Sequence, residues 1–281
     1  MRKIMILTLV IGLVAGVTNA QKFYGRIGIG PEVGLCYYNG YFGDYTITST
    51  SDVQKVKNGS LGSGFNVNLG FGFMFSKYVG LDLGLNQFIG FGIKSNYSNT
   101  QSTYSMESDH KISAKMFQIV PAIVITPGLE KINPYARLGL ILGVMNRISY
   151  TYSQTATNVP YLKETFTEDS KEIDRGGVAL GCAAALGVDF VLSEMVSLYA
   201  EIDLNALNYA PTKGKYKEWT IDGVDQLPDA TTKEKEWEYV KELDYDEDIP
   251  DGSPDKYLKE SAVLTNVGIN FGVKFKFGSS K

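Results

Sequence analysis

The chain has 281 residues, enough for one large β domain or two ordinary ones. Its 30 Gly, 14 Phe and 18 Tyr favour β structure with close backbone contacts. The formal net charge of −4 argues against nucleic acid as the main partner, because nucleic-acid-binding domains carry basic surfaces.

The first twenty residues have the layout of a secretory signal peptide. Arg2 and Lys3 give a basic start, residues 4–17 are apolar, and small residues precede a cleavage position after Ala20. No other stretch stays apolar for the ~18 residues that a spanning helix needs. The sequence predicts an exported protein with a signal peptide over residues 1–20 and a single domain over residues 21–281; a retained anchor is the alternative.

Alternation of apolar and small or polar residues recurs along the rest of the chain. In GFNVNLGFGFMF, residues such as Phe65 and Val67 alternate with Asn and Gly. Alternation over more than four residues indicates a strand whose two faces meet different environments. Eight such strands are predicted, beginning near Tyr24, Gly64, Tyr78, Ile112, Pro134, Gly176, Met195 and Ala262.

The connections between these strands alternate in length. Three are short and contain little more than SKY, PGLEKIN and SEM. Four are long and rich in Ser, Thr, Asn, Tyr and charge, at roughly 38–63, 92–111, 149–175 and 209–261. Short turns at one end and long loops at the other are typical of outer-membrane barrels, so we expect three periplasmic turns and four extracellular loops.

The small and polar face of the strands separates a membrane barrel from a soluble one. That face is dominated by Gly, Ala and Asn, which suits a narrow lumen better than a solvated surface. The predicted strands are long enough to cross a bilayer at a tilt, which takes about 9–11 residues. We therefore predict an all-β fold, an eight-stranded antiparallel up-and-down transmembrane β-barrel, with its bulky face toward lipid.

The last predicted strand carries a recognisable pattern, Asn270-x-Gly272-x-x-Phe275-x-Phe277. This pattern resembles the C-terminal assembly signal of bacterial outer-membrane proteins, and the whole chain resembles the eight-stranded OmpA/OmpX-like group. Members often stop on the terminal aromatic, whereas residues 278–281 follow it here. The resemblance implies an outer-membrane location in a Gram-negative cell envelope, with the barrel-assembly machinery, membrane lipid and lipopolysaccharide as partners.

Charged residues fall on the face predicted to line the lumen. The lower group, a few residues from the short turns, is expected to form a structural ionic layer and consists of Arg26, Asp82, Arg137, Asp189 and Lys274. A higher group, Glu32, Glu201 and Asp203, lacks compensating cations. It could bind a cation or remain protonated, or be satisfied by waters, Asn205 and Asn266.

Candidates for catalysis and disulfide formation are few. His110 is the single histidine, beside Asp109 and near Ser113, and some barrels of this type are lipid A-modifying enzymes with a His and a Ser at the rim. Adjacent strand residues point to opposite faces, so a triad is not expected. Cys36 and Cys182 fall on opposite faces of non-neighbouring strands, which predicts two free thiols. No metal cluster or cofactor site is predicted.

The last long loop is strongly acidic. Residues 213–260 hold eight Lys and fifteen Asp or Glu, so their net charge is more negative than the −4 of the whole chain. DYDEDIPDGSPD (244–255) resembles a calcium loop, but Ile249 stands where that turn needs Gly. A solvated loop with Trp219 and Trp237 in a small hairpin is the favoured interpretation.

These features predict a non-enzymatic, monomeric integral outer-membrane protein. Its role would be envelope structure or adhesion through the long loops, with an extracellular ligand as a possible partner. A narrow, porin-like conduit for small or apolar molecules is the alternative hypothesis, and a lipid-modifying enzyme is the third.

Overall fold

The computed structural model describes residues 22–36, 43–56, 59–101, 104–158, 165–245 and 248–277. The predicted signal peptide and residues 278–281 lie outside these ranges. The described strands are β1 (Lys22–Gly34), β2 (Gly43–Thr48), β3 (Asp52–Val56), β4 (Gly64–Met74), β5 (Val79–Gly90), β6 (Ile93–Thr100), β7 (Ser105–Ile125), β8 (Ile132–Thr157), β9 (Thr165–Arg175), β10 (Ala179–Val191), β11 (Val196–Tyr209), β12 (Lys213–Ile221), β13 (Val224–Asp225), β14 (Glu236–Val240), β15 (Asp255–Leu258), β16 (Ala262–Val263) and β17 (Asn266–Phe277). The one described helix, α1, is Thr232–Lys235.

Eight of the strands close into an antiparallel barrel. Each of β1, β4, β5, β7, β8, β10, β11 and β17 pairs with the next in this order. The ring is completed by β17 against β1, with Phe23 opposite Phe277 and Gly34 opposite Asn266. The predicted eight-stranded barrel is confirmed.

Burial alternates along the barrel strands as the sequence pattern predicts. In β4, Asn66 and Asn68 are buried, whereas Phe65 and Val67 are exposed. Large apolar side chains such as Leu138 are exposed around the outside of the barrel. This outer face suits hydrocarbon, and closing the sheet satisfies the backbone hydrogen bonds that lipid cannot.

The long connections contain more strand than predicted. β7 begins at Ser105 rather than near Ile112, and β8 continues to Thr157, so this hairpin rises well beyond the barrel. β6, β9 and β12 pair with it or with one another to form what we call the long-loop extension, together with β14 and β15. The prediction of plain loops was wrong here. Both faces of these strands carry mostly polar residues, so the sequence shows no apolar period.

A β-bulge lies where the β7–β8 hairpin leaves the barrel. The register shifts between Lys115 and Phe117, and Met145 on the opposite strand has a φ of 51°. Bulges bend and twist the strand that contains them. The Tyr209 hydroxyl donates to the backbone carbonyls of Asn146 and Gly176, which ties β11 to this bend.

Over the part of the chain that the structure describes, no helix is long and apolar enough to cross a membrane.

Candidate functional site: the lumen and its mouth

The lumen near the short turns is occupied by a buried ionic network. Arg26 from β1 donates through Nη2 to Oδ1 of Asp82 at 2.9 Å and through Nε to Oδ2 at 3.2 Å. The Tyr24 hydroxyl donates to the same carboxylate at 2.9 Å, and Arg26 Nη1 donates to Asn68 at 2.7 Å. This paired guanidinium and carboxylate are almost fully buried, as such a fork geometry permits.

Arg137 from β8 links this cluster to the far wall of the lumen. Its Nη1 lies 3.1 Å from Oδ1 of Asp82, and its Nη2 lies 2.6 Å from Oε1 of Glu201 on β11. The Tyr135 hydroxyl also donates to Glu201 at 2.8 Å. The prediction that Glu201 lacks a compensating cation was therefore wrong, because Arg137 reaches across the lumen past the intervening strand.

A second ion pair lies in the same part of the lumen. Lys274 Nζ donates to both carboxylate oxygens of Asp189, at 2.7 and 2.6 Å. The ammonium also faces the Tyr24 and Tyr135 rings, 5.0 and 4.5 Å from their centroids. The three cations and three of the carboxylates thus compensate one another, and two aromatic faces add cation–π attraction.

Lumen glycines make room for these large side chains. A β-carbon on Gly72 would collide with the Tyr24 ring, which lies directly over that glycine on the neighbouring strand. A barrel of eight strands leaves an interior just wide enough for side chains. The glycine-rich face of the strands therefore allows Arg and Tyr side chains to fill the lumen.

A polar layer lies above the ionic network. Asn68 accepts from the Tyr199 hydroxyl at 2.7 Å and donates to Asn270 at 3.2 Å, and Asn270 donates to Asp203 at 2.9 Å. Glu32 is buried at the same side of the lumen, and none of the described residues donates a hydrogen bond of ordinary geometry to its carboxylate oxygens. Of the predicted higher group, Glu32 and Asp203 form no ion pair with a cation in the described part of the chain.

An apolar cluster fills the upper lumen. Leu61, which precedes β4, and Leu264, which precedes β17, are both 2% exposed and pack with side chains from the barrel wall. The wall contributes Phe88, Ile112, Met116, Ile141 and Leu207. Sequence reasoning missed this cluster. Leu61 lies in a predicted connection, where no strand period marks an inward direction, and Leu264 lies on the lumen parity of the last predicted strand but was not singled out.

The long-loop extension contains a cavity of about 550 Å³ at the mouth of the barrel. Five aromatic side chains, Tyr150, Tyr216, Trp237, Tyr239 and Tyr257, contribute to its lining. Glu172 and Asp174 add carboxylates to the same wall. A cavity of this size that combines aromatic rings with acids suits a small amphipathic ligand.

Asp174 organises the aromatic wall. It is buried and accepts from the Trp237 indole N–H at 3.0 Å and from the Tyr239 hydroxyl at 2.8 Å. Burial raises the pKa of Asp174 above its ordinary value, although both hydrogen bonds act in the opposite direction. Burial also raises the pKa of the Tyr216 hydroxyl to about 12. Trp219 stacks on Tyr216 with ring centroids 5.4 Å apart, outside this wall.

The remaining sequence candidates do not line the cavity. His110 stacks at a tilt on Tyr152 in the β7–β8 hairpin, while Asp109 accepts from the Asn96 side chain. Cys36 and Cys182 are free thiols. Among the described residues, no group of three or more His, Cys, Asp or Glu side chains could hold a metal ion.

Two of the twelve residues of the calcium-like segment 244–255 lie outside the described ranges. In the described part, the Ile249 carbonyl accepts from Lys233 Nζ at 3.0 Å. The predicted assembly pattern lies in β17, where Asn270 and Gly272 face inward and Phe275 and Phe277 are exposed.

A family comparison agrees with this architecture. A family model described as outer membrane protein beta-barrel domain matches residues 5–222. Solved structures that resemble the chain include OprG from Pseudomonas aeruginosa, at 15% identity with 94% of this chain and 99% of that chain covered and a TM-score of 0.42. A major outer membrane protein from Thermus thermophilus gives 12% identity, 92% and 100% coverage and a TM-score of 0.40.

Ail from Yersinia pestis, in complex with the heparin analogue sucrose octasulfate, gives 11% identity, 92% and 100% coverage and a TM-score of 0.32. None of these three is similar enough to assign a role to a residue of this chain. No curated protein matches the sequence.

Proposed function

Because the chain belongs to the outer membrane protein beta-barrel domain family, it is an integral protein of the outer membrane, and we propose that it is a non-conducting, non-enzymatic surface protein. Its barrel anchors the chain in the lipid and lipopolysaccharide of that membrane after insertion by the barrel-assembly machinery. Its long-loop extension faces the outside and supplies the contacts with the surroundings.

The observation that carries this proposal is the filling of the lumen. Arg26, Asp82, Arg137 and Glu201 form a connected set of ion pairs across the lower lumen. The apolar cluster around Leu61 lies above them. An ion that crosses would have to displace a paired guanidinium and then dehydrate against hydrocarbon side chains, both of which cost several kcal/mol.

The cavity in the extension supports the role in surface interaction. It lies at the end of the molecule where the long connections gather, and its wall is built from β9, β12, β14 and β15. Ligand sites are concave and largely apolar, with a few polar groups placed for orientation. Trp237 and Asp174 provide that combination here.

The non-enzymatic part of the proposal rests on the surroundings of His110. Asp109 and Ser113 differ from it by an odd number of residues along β7, so both side chains leave the strand on the opposite face. Its nearest described ring partner is Tyr152, which is no base or acid at neutral pH. A nucleophile–base–orienter arrangement is therefore unsupported at this position.

Conductance separates this proposal from the conduit hypothesis. The purified protein in planar bilayers is expected to show no steady ionic current, and proteoliposomes are expected to take up a small apolar dye no faster than protein-free vesicles. A variant with Leu61→Ala, Phe88→Ala and Met116→Ala empties the apolar cluster but retains the ion pairs, and it should remain silent to ions. Steady current or protein-dependent dye uptake with the unaltered chain would favour the conduit.

Protease access tests the direction of the extension. Trypsin added to intact cells should cut after lysines of the 213–260 region, because those residues would lie outside the membrane. The matched sample, with the outer membrane permeabilised, controls for sites at the short turns such as Lys77. Cutting in the 213–260 region that requires permeabilisation would reverse the proposed orientation.

A further inference from the structure

Glu32, Gly268 and Asp203 lie in one row across three neighbouring strands. Glu32 on β1 is opposite Gly268 on β17, and Gly268 is opposite Asp203 on β11. All three positions face the lumen, where Glu32 is 2% and Asp203 8% exposed. The row therefore places two buried carboxylates on either side of a residue that has no side chain.

The two carboxylates converge over that glycine. A β-carbon added to Gly268 would collide with Oε2 of Glu32 and with Oδ1 of Asp203. Both oxygens thus border the same small volume. Only glycine leaves this volume open, because any other residue would occupy the space that the carboxylates face.

No cation of the described residues forms an ion pair with either carboxylate. Arg26, Arg137 and Lys274 are committed to Asp82, Glu201 and Asp189 in the layer below. Among the described residues, both oxygens of Glu32 and Oδ1 of Asp203 lack a hydrogen bond of ordinary geometry, although the Asn66 and Asn270 amides lie near Glu32. Buried charges are normally paired or bound to a metal, since an isolated one costs far more than a few kcal/mol.

The surrounding side chains supply further oxygen ligands. Asn66, one strand away on β4, is buried, and its Oδ1 also lacks a donor. Asn270 donates to the other oxygen of Asp203 and so orients that carboxylate toward Gly268. The site has carboxylate and amide oxygens and no thiol or imidazole, a ligand set that selects hard cations over zinc or copper.

We propose that Glu32 and Asp203 bind a calcium ion between β1, β17 and β11. Two carboxylates match the charge of a divalent cation, and the irregular set of carboxylate, amide and water oxygens suits calcium better than magnesium, which demands near-ideal octahedral geometry. The pairing of β1 with β17 closes the barrel. The ion therefore cross-links the closing pair of strands to β11 and is captured as the barrel closes.

Refolding experiments test this site. The full chain is refolded into detergent micelles from urea with either a chelator, calcium or magnesium present throughout, and its unfolding midpoint is measured. Binding to the folded state alone stabilises it in proportion to the logarithm of ligand excess, so the midpoint should rise with calcium and rise less with magnesium. After desalting, elemental analysis should find one calcium per chain.

Isosteric variants locate the effect. Glu32→Gln and Asp203→Asn should each abolish most of the calcium-dependent shift and the retained calcium. In chelator they should fold at least as well as the unaltered chain, because each removes one of two facing negative charges. Glu172→Gln is the matched control, since it neutralises a partly buried acid at the mouth and should retain the full calcium response.

Two results would overturn the proposal. The first is an unaltered chain whose midpoint and metal content are the same in calcium and in chelator, which would leave water or a shared proton as the partner of these carboxylates. The second is a calcium shift of equal size in Glu32→Gln, which would place the ion elsewhere, with the acidic 244–255 segment as the next region to mutate.

Discussion

The barrel and the long-loop extension bury opposite classes of side chain. In the barrel, Leu138 and Leu180 point outward and are exposed, while Arg26 points inward and is 3% exposed. In the extension, Ile173 and Trp237 are buried inside, while Lys171 and Glu218 form an exposed pair outside. The two regions meet near Arg147 and Arg175, exposed neighbours on β8 and β9.

This contrast shows that a strand pattern fixes two faces and the surrounding medium decides which one is buried. Hydrocarbon accepts the leucines of the barrel and excludes its charges. Water accepts the charges of the extension and drives its aromatic side chains together. A single sheet can therefore pass from one medium to the other, provided that its side-chain polarity reverses at the boundary.

The largest effect is expected from Asp82→Asn in the lumen. Removing this charge leaves Arg26 and Arg137 facing each other with one carboxylate fewer, and breaking a buried ion pair in this way costs about 3–5 kcal/mol. Urea unfolding of the folded protein in micelles, followed by far-ultraviolet circular dichroism, measures the loss. Replacing both members of the pair, with Arg26→Met and Asp82→Leu, should cost less than Asp82→Asn alone; an equal or greater cost would contradict the pairing.

The outer face of the barrel is tested by Leu138→Arg. An arginine on the lipid face near the middle of the bilayer costs about 2–4 kcal/mol. Val224→Arg, on β13 in the extension, exchanges a similarly exposed apolar residue and should leave stability within about 0.5 kcal/mol. Unfolding from lipid vesicles compares the two variants, and similar costs for both would mean that water surrounds both regions.

The pH dependence of the extension follows from Asp174. Burial raises the pKa of this carboxyl, so the folded extension binds its proton more tightly than the unfolded extension does. The contribution of Asp174 to the stability of the extension should therefore be complete at low pH. It should decrease as the pH rises above the ordinary aspartate range. Trp219 and Trp237 are the only tryptophans and both lie in the extension, so guanidinium titrations followed by tryptophan emission report this region.

Asp174→Asn should flatten this pH profile. Partial burial raises the pKa of the Glu172 carboxyl as well, and this group should leave a residual slope. A profile that is unchanged in Asp174→Asn would exclude Asp174 as its origin.

The smallest effect is expected from Lys171→Ala. Lys171 Nζ and Glu218 Oε1 are 2.9 Å apart, but both side chains are well exposed, so solvent and salt screen their attraction. Exposed pairs contribute about 0.2–1 kcal/mol at most. The same denaturation experiment on this variant and on Asp82→Asn compares one kind of ion pair in two media, and equal losses would contradict the contrast between the regions.

The barrel itself could be predicted from the sequence because lipid imposes a simple period. Every second residue of a membrane strand must be apolar, and residues such as Phe65 and Leu138 record this directly. The inward direction of Arg26, Asp82 and Lys274 then follows from parity. Strand ends in the barrel were close to prediction for the same reason.

Contacts across the lumen could not be predicted in this way. Whether Arg137 reaches Glu201 depends on the stagger of strands that are not neighbours, and parity contains no information about stagger. The inward packing of Leu61 depends on loop conformation. The extension strands were missed because most of their residues are polar. Only a few side chains, such as the aromatic residues around Trp237, are buried, and they are too few to produce a regular apolar period.

The hydrogen-bonded pairing of β1 with β17 has a consequence for the order of events during biosynthesis. β1 is synthesised long before β17, so the edge of β1 that pairs with β17 stays uncovered until β17 has been made. Until the barrel closes, the chain exposes two unpaired strand edges and many apolar side chains to water. Its transport to the membrane is therefore expected to need chaperones that cover these edges and side chains.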